Sequence, residues 1–389
     1  MPDLSGNEEA YAAEAVASTW ISSTGRFLDR FEQEFAEACG TDFAVATSNG
    51  TTALHLVLAA LGVGPGDEVI VPSMTYIATA NAVTYCGAKP VFVDIDPDTW
   101  CLNIRGVEAA ITPATKGIIP VHLLGHPADM DAINAVAKAH GIWVVEDAAE
   151  ATFSQYKGRP IGSLSTAATF SFFGNKIISC GEGGAVTCDD PDLAARMRLL
   201  RGQGMDPNRR YHFPIVGFNY RLTNVAAAIL CGQMERREEI VARRREVVGV
   251  YARELAGVPG ITMRCDAPWA DTAPWMQSCL VDASRFGCHR DDLADGLAKR
   301  GVETRPMFIP IHRLPPYQEA AEQGCDLPYT DHLAEHGLML PTYPQLADQD
   351  VEYICEAIRA IGAAGTRSRQ AIARSRLAAG QSRDSVRAA

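Results

Sequence analysis

The stretch Ser171-Phe172-Phe173-Gly174-Asn175-Lys176 decides the reading of this chain. It places a lysine just after a strand-like run at 168–173 and just before the glycine-rich Gly181-Glu182-Gly183-Gly184. Twenty-nine positions upstream, Asp147 stands in Glu146-Asp147-Ala148-Ala149-Glu150, which closes the apolar run Ile142-Trp143-Val144-Val145. A carboxylate therefore emerges where a buried strand would end. A lone lysine on a loop is ordinarily a solvated charge; a lysine and an aspartate at the ends of two strands call for a chemical explanation.

Pyridoxal 5'-phosphate supplies one. A lysine amine holds the cofactor as a Schiff base, and a facing carboxylate keeps the ring nitrogen protonated by charge pairing. Lys176 fits the first role and Asp147 the second. A third element should then bind the phosphate. Phe43-Ala44-Val45-Ala46-Thr47 reads as a strand, Ser48-Asn49-Gly50-Thr51-Thr52 as a small-residue turn, and Leu54, Val57, Leu58 and Leu61 as the apolar face of a helix. Unpaired N–H groups at a helix start lie at the positive end of its dipole and attract phosphate. Asn49 or Thr51 would also suit plain N-capping.

Further strand-like runs at 68–71, 91–94, 117–121, 142–146 and 184–188 alternate with helical patterns, which predicts an α/β fold with a mostly parallel sheet. Ligands bind beyond the carboxyl ends of strands in such sheets, and Ser48, Asp147 and Lys176 each follow one. Residues 1–240 form the expected large domain. A smaller α/β domain is expected over 241–362, with strands at 277–282 and 302–309 and helices at 291–300 and 350–361. Residues 363–389 hold six arginines and few large apolar groups, and are expected to be a disordered tail.

Composition excludes several classes. With 389 residues, 47% apolar and 21% charged, the chain can bury a large core. A net charge of −12 gives no footprint for nucleic acid. Eleven dispersed cysteines form no C-x-x-C pair, which suits reduced thiols in a cytosol. No window approaches the roughly 18 apolar residues of a membrane helix. The spacing of His122, His126 and His312 fits no compact metal site.

The stretches Ser73 to Asn81, Val121 to Pro127, Glu146 to Glu150 and Phe170 to Gly184 resemble the nucleotide-sugar aminotransferases among the fold-type I pyridoxal phosphate enzymes. The resemblance spans about residues 5–362. Within it, Arg201 to Pro207, Phe213 to Arg221, Arg305-Pro306 and Pro315-Pro316-Tyr317 are similar to the subgroup that makes GDP-perosamine. It implies that Lys176 bonds the cofactor, Asp147 pairs with its ring nitrogen and Tyr76 stacks on its ring. Gly50, Thr51 and Ser171 would bind phosphate. Asn219 would reach the phosphate in a partner subunit, so that a homodimer shares its sites. Arg221, Arg305, His312 and Tyr317 are candidates for the sugar nucleotide, though each could equally be structural.

Glu150 stands where most of the family has a glutamine beside the cofactor's phenolic oxygen. An ionised carboxylate would repel a phenolate, so Glu150 is expected protonated or turned away. The implied reaction moves an amino group from glutamate to a nucleotide-linked keto-6-deoxysugar, with GDP-4-keto-6-deoxymannose the expected acceptor. A 3-keto isomer is the alternative, because Trp275-Met276-Gln277-Ser278 lacks the aromatic expected after the methionine. Relatives that dehydrate sugars carry a histidine in place of the lysine, so Lys176 argues against that chemistry. A non-catalytic homologue would not require Lys176, Asp147 and the turn together.

Overall fold

The computed structural model describes residues 2–319 and 326–387, with side chains as far as Arg367. Seven strands build the main sheet: β1 (Phe43–Thr47), β2 (Glu68–Pro72), β3 (Lys89–Val93), β4 (Thr115–Ile118), β5 (Trp143–Asp147), β8 (Ala167–Ser171) and β9 (Gly184–Cys188). Their spatial order is β1-β9-β8-β5-β4-β2-β3. All neighbours are parallel except β9, which runs antiparallel to both β1 and β8. The strand after Gly117 ends sooner than expected, since Pro120 has no N–H to give a ladder. Even so, Val121 still bridges Asp147.

Alternating residues serve two apolar layers. In β5, Val144 packs with Phe31, Phe35, Phe170 and Phe172, whereas Val145 packs with Val45, Leu56 and Val71. The helix Arg26–Cys39 covers the first face because Phe27, Leu28, Phe31, Phe35, Ala36 and Cys39 recur at helical spacing and are buried. It stops at Gly40, whose φ of 67° is left-handed. Phe35 meets the rings of Phe170 and Phe172 edge-on, with centroids 4.9 and 5.2 Å apart. This contact holds Phe170 and Phe172 on one side of the chain and leaves Ser171, between them, for the other.

The helix Arg237–Glu254 crosses the boundary expected near 240 without interruption. Ile240 and Val241 lie in the first core, and Val247, Val250 and Tyr251 lie in a separate third core. That core lies under the antiparallel sheet β10-β12-β14-β13, made of Ile261–Met263, Gln277–Val281, Gly337–Leu340 and Arg305–Pro306. The strand expected at 302–309 shrinks to Arg305–Pro306. Pro306 and Pro310 cannot donate to a ladder, and Ile311 N–H turns instead to the Ser73 carbonyl of the large sheet at 2.9 Å. A three-stranded ribbon, β6 (Gln155–Tyr156), β7 (Arg159–Pro160) and β11 (Ala270–Asp271), has no counterpart among the expected strands.

Where a disordered tail was expected from 363, the helix Asp348–Arg387 continues. The tail reading weighed the lack of apolar groups for a core, whereas the alanines and arginines there are strong helix formers and no proline interrupts them. Among the described residues, no helix is long and apolar enough to cross a membrane.

Candidate active site

Sheet register assembles the site. Thr47 lies opposite Gly184, and Gly184 opposite Ser171. One strand further on, Asp147 pairs with Thr169. The turn after β1, the strand before Lys176 and the end of β5 thus meet along one edge. Close packing holds them there. A Cβ on Gly184 would lie 2.5 Å from the Asn49 carbonyl atoms, and one on Gly50 would lie 2.8 Å from the Ser171 Cβ.

The turn caps the helix. Asn49 Oδ1 accepts from Thr52 N–H at 2.9 Å, while Thr52 Oγ1 accepts from Asn49 N–H at 3.2 Å. Of the two residues expected to cap this helix, Asn49 is the N-cap and Thr51 is not. The first-turn N–H groups of Gly50 and Thr51 have no acceptor within the helix, and an added Cβ on Gly50 would lie 3.3 Å from the Ser171 hydroxyl.

Asp147 is buried. Its Oδ2 accepts from the Thr79 hydroxyl at 2.7 Å and its Oδ1 from Ala149 N–H at 3.2 Å. Burial pushes its proton affinity up, against the Thr79 and Ala149 hydrogen bonds and the nearby Lys176 amine. Burial pushes Lys176 the other way, and the Glu150 and Asp147 carboxylates oppose that. Burial thus works against the charged form of both groups, a pattern typical of catalytic sites.

Glu150 Oε2 accepts from Leu124 N–H at 2.8 Å. Leu124 has a left-handed φ of 55°, which turns that N–H inward. Arg264 supports the turn from behind, donating to the Leu123 carbonyl at 2.9 Å. Burial raises the Glu150 pKa to about 7, opposed first by Lys176 and then by the Leu124 hydrogen bond. One Glu150 oxygen is therefore turned toward the backbone and the acid is half-protonated near neutrality.

Tyr76 is 61% exposed at the start of the helix that carries Thr79, with its ring 6.2 Å from that of Phe308. Arg221 bridges Thr47 beside the turn, and Asn219 lies exposed two residues earlier, bridging Gly202. Arg305 lines a cleft of about 510 Å³ with Gly174, Asn175 and Lys176.

His312 and Tyr317 are engaged elsewhere. Ser73 Oγ accepts from the His312 backbone N–H at 3.1 Å and shares a hydrogen bond with His312 Nδ1 at 2.7 Å; Nε2 faces Asp331 at 3.5 Å. Tyr317 donates to Asn81 Oδ1 at 2.7 Å. His122 and His126 are buried too. His122 Nδ1 accepts from Ala128 N–H, and its Nε2 donates to Glu146. Among the described residues, no group of three or more His, Cys, Asp or Glu side chains could hold a metal ion.

Thr79, Trp275 and Arg244 also belong to the site. Trp275 presents its ring to Lys176 Nζ, 3.9 Å from the centroid. Thr79 and Trp275 lie in stretches the sequence already marked, but neither was assigned a role there, and Arg244 lies in none, since each is tied to the site only through folding.

A lysine, a buried aspartate and an anion-ready helix start on one sheet edge fit pyridoxal phosphate. The family described as DegT/DnrJ/EryC1/StrS aminotransferases matches residues 2–359. The chain belongs to that family. Among its relatives, the GDP-perosamine synthase of Caulobacter vibrioides is 52% identical over 92% of this chain and 96% of its own. The dTDP-3-amino-3,4,6-trideoxy-alpha-D-glucose transaminase of Streptomyces venezuelae is 41% identical over 90% and 93%. The crystal structure of Streptomyces venezuelae DesV superposes with a TM-score of 0.87 at 39% identity, covering 92% of this chain and 94% of that one. The fold is therefore the expected aminotransferase fold, and the chain is a pyridoxal phosphate-dependent sugar aminotransferase.

Proposed function

We propose that this aminotransferase moves the amino group of glutamate to C4 of GDP-4-keto-6-deoxymannose, giving GDP-perosamine. The observation that carries the reading is the 52% identity, over 92% of this chain, to a GDP-perosamine synthase. By the resemblance Glu150 stands where most of the family has a glutamine, and burial raises its pKa to about 7.

Pyridoxal phosphate, when bound, supplies an aldehyde that carries the amino group and a ring that draws electrons from the reacting carbon. Lys176 would bond it through its amine. Once displaced, that amine is free to take a proton from the donor's α-carbon and return it beside the cofactor. Desolvation favours its neutral, basic form. Asp147 would face the ring nitrogen, with Thr79 keeping the carboxylate ionised. Gly50 and Thr51 N–H groups, with the Thr51 and Ser171 hydroxyls, would receive the phosphate. The exposed Tyr76 ring would cover the cofactor face and exclude water.

Arg221 and Arg305 are available for the diphosphate, a geometry guanidinium suits. His312 and Tyr317 keep their internal partners and are given no substrate role. Asn219 is exposed, as a group reaching a neighbouring subunit must be; the active form is read as a cytosolic homodimer with shared sites.

The test is a product assay with purified protein, pyridoxal phosphate, glutamate and GDP-4-keto-6-deoxymannose. A 4-amino product identified by mass and NMR, absent with Lys176→Ala, supports the reading. Amination of only a 3-keto or dTDP-linked sugar would overturn the acceptor.

A further inference from the structure

Two buried carboxylates lie close enough to Lys176 to raise its proton affinity. Yet the structure pairs its amine with neither, and among the described residues its close partner is the Trp275 ring at 3.9 Å. Asp147 is satisfied by Thr79 and Ala149, and Glu150 by Leu124. The amine therefore lies on an indole face although charge alone would draw it to an acid.

That face is fixed with unusual care. Trp275 is 5% exposed, and its Nε1 donates to the Asn175 carbonyl at 2.8 Å, one residue before the lysine. Arg244 is 2% exposed and has no carboxylate partner among the described residues. Its guanidinium spends its donors on backbone instead. Nη1 donates to the carbonyls of Pro274, Trp275 and Thr342 at 3.4, 3.0 and 3.2 Å, and Nη2 to that of Lys176 at 3.4 Å. One buried cation thus ties the backbone of the lysine to the backbone of the tryptophan. With both ends held, only the lysine side chain is left to move.

We propose that Trp275 is a positioning residue: its indole face is where the Lys176 amine docks whenever that amine is not bonded to the cofactor, with Arg244 and Asn175 holding the face in place. The inference rests on the aminotransferase reading, in which the lysine is released once in each half-reaction. A free amine left to pair with Asp147 would compete for the carboxylate that the ring nitrogen needs. Docked on Trp275, it is kept off both acids and within one side-chain swing of its return. The π face also favours the ammonium form, so it tempers the loss of proton affinity that burial imposes.

The test uses cofactor-free protein. The rate at which it captures added pyridoxal phosphate, followed by visible absorbance, rises with pH as the amine loses its proton. Trp275→Leu removes the face and should move that rise down by roughly half to one pH unit, the size of a partly desolvated cation–π contact. Trp275→Phe keeps a face and should stay close to wild type. An unshifted leucine profile, or equal shifts in both variants, would overturn the assignment. Should the leucine variant not fold, wild-type protein made with fluorinated tryptophan keeps the shape and weakens the face, and an unshifted profile there overturns it equally. If wild type captures no cofactor at all, the aminotransferase reading fails instead.

Discussion

The Thr79 hydroxyl donates to the buried Asp147 carboxylate at 2.7 Å, across 68 residues of sequence. Thr79 thereby offsets part of the burial that drives Asp147 toward its neutral form. A hydrogen bond to a charged group is worth roughly 1.5–3 kcal/mol. Thr79→Val should therefore lower kcat/KM by roughly 10- to 100-fold. It should also move the acid limb of the rate profile to higher pH, because Asp147 then holds its proton longer. Thr79→Ser should restore both, as steady-state kinetics across pH will show.

Glu150 has its pKa raised by burial from 4.5 to about 7. The folded state therefore holds a proton there that the unfolded chain has released, and this favours folding most at low pH. The contribution fades as pH rises from about 4.5 through about 7. Glu150→Gln removes this dependence. Thermal unfolding should show the variant gaining on wild type as pH is raised across that window, and no relative gain would contradict the assignment.

Gly184 leaves no room behind the turn, since an added Cβ would lie 2.8 Å from Gly50 N and 2.5 Å from Asn49 C. Gly184→Ala must push the first-turn N–H groups out of line. Cofactor affinity should drop at least about tenfold, which corresponds to roughly 1.4 kcal/mol. The fold should survive, as circular dichroism beside a cofactor titration can establish.

His312 acts as a strut between Ser73 and Asp331. Its proton affinity is lowered by burial, so the unfolded chain takes up a proton that the folded chain resists. Stability from this group is present above the ordinary histidine range near 6.5 and is lost as pH falls below it. His312→Gln should cost roughly 1–3 kcal/mol at pH 8, flatten that slope, and leave cofactor affinity unchanged. A large loss of affinity would instead place His312 at the substrate.

The main sheet was legible because its strands are short apolar runs set off by turns, and Lys176 and Asp147 were legible because each closes one. Asn49 was not distinguished from Thr51 as the cap, since both fit one by composition and only the extended backbone at Asn49 selects it. Trp275 stood in a marked segment but without a role, and Arg244 left no local mark. Their contacts with the lysine loop span 99 and 68 residues, read from Lys176 to Trp275 and to Arg244. The short β13 shows the opposite failure: the run 302–309 looked like a strand, but Val302 N–H goes to the Leu297 carbonyl, and Pro306 and Pro310 have no N–H for a ladder.

Strand β9 separates β1 from the rest of the sheet, and β1 has no other strand beside it. The turn after Thr47 is made early in the chain, yet it can reach the lysine strand only once residues 184–188 have inserted, some 140 positions later. Loop closure of that span is slow compared with local structure. The ability to hold a phosphate should therefore be among the last properties to appear during refolding, and a nascent chain that ends before Gly184 should lack it entirely.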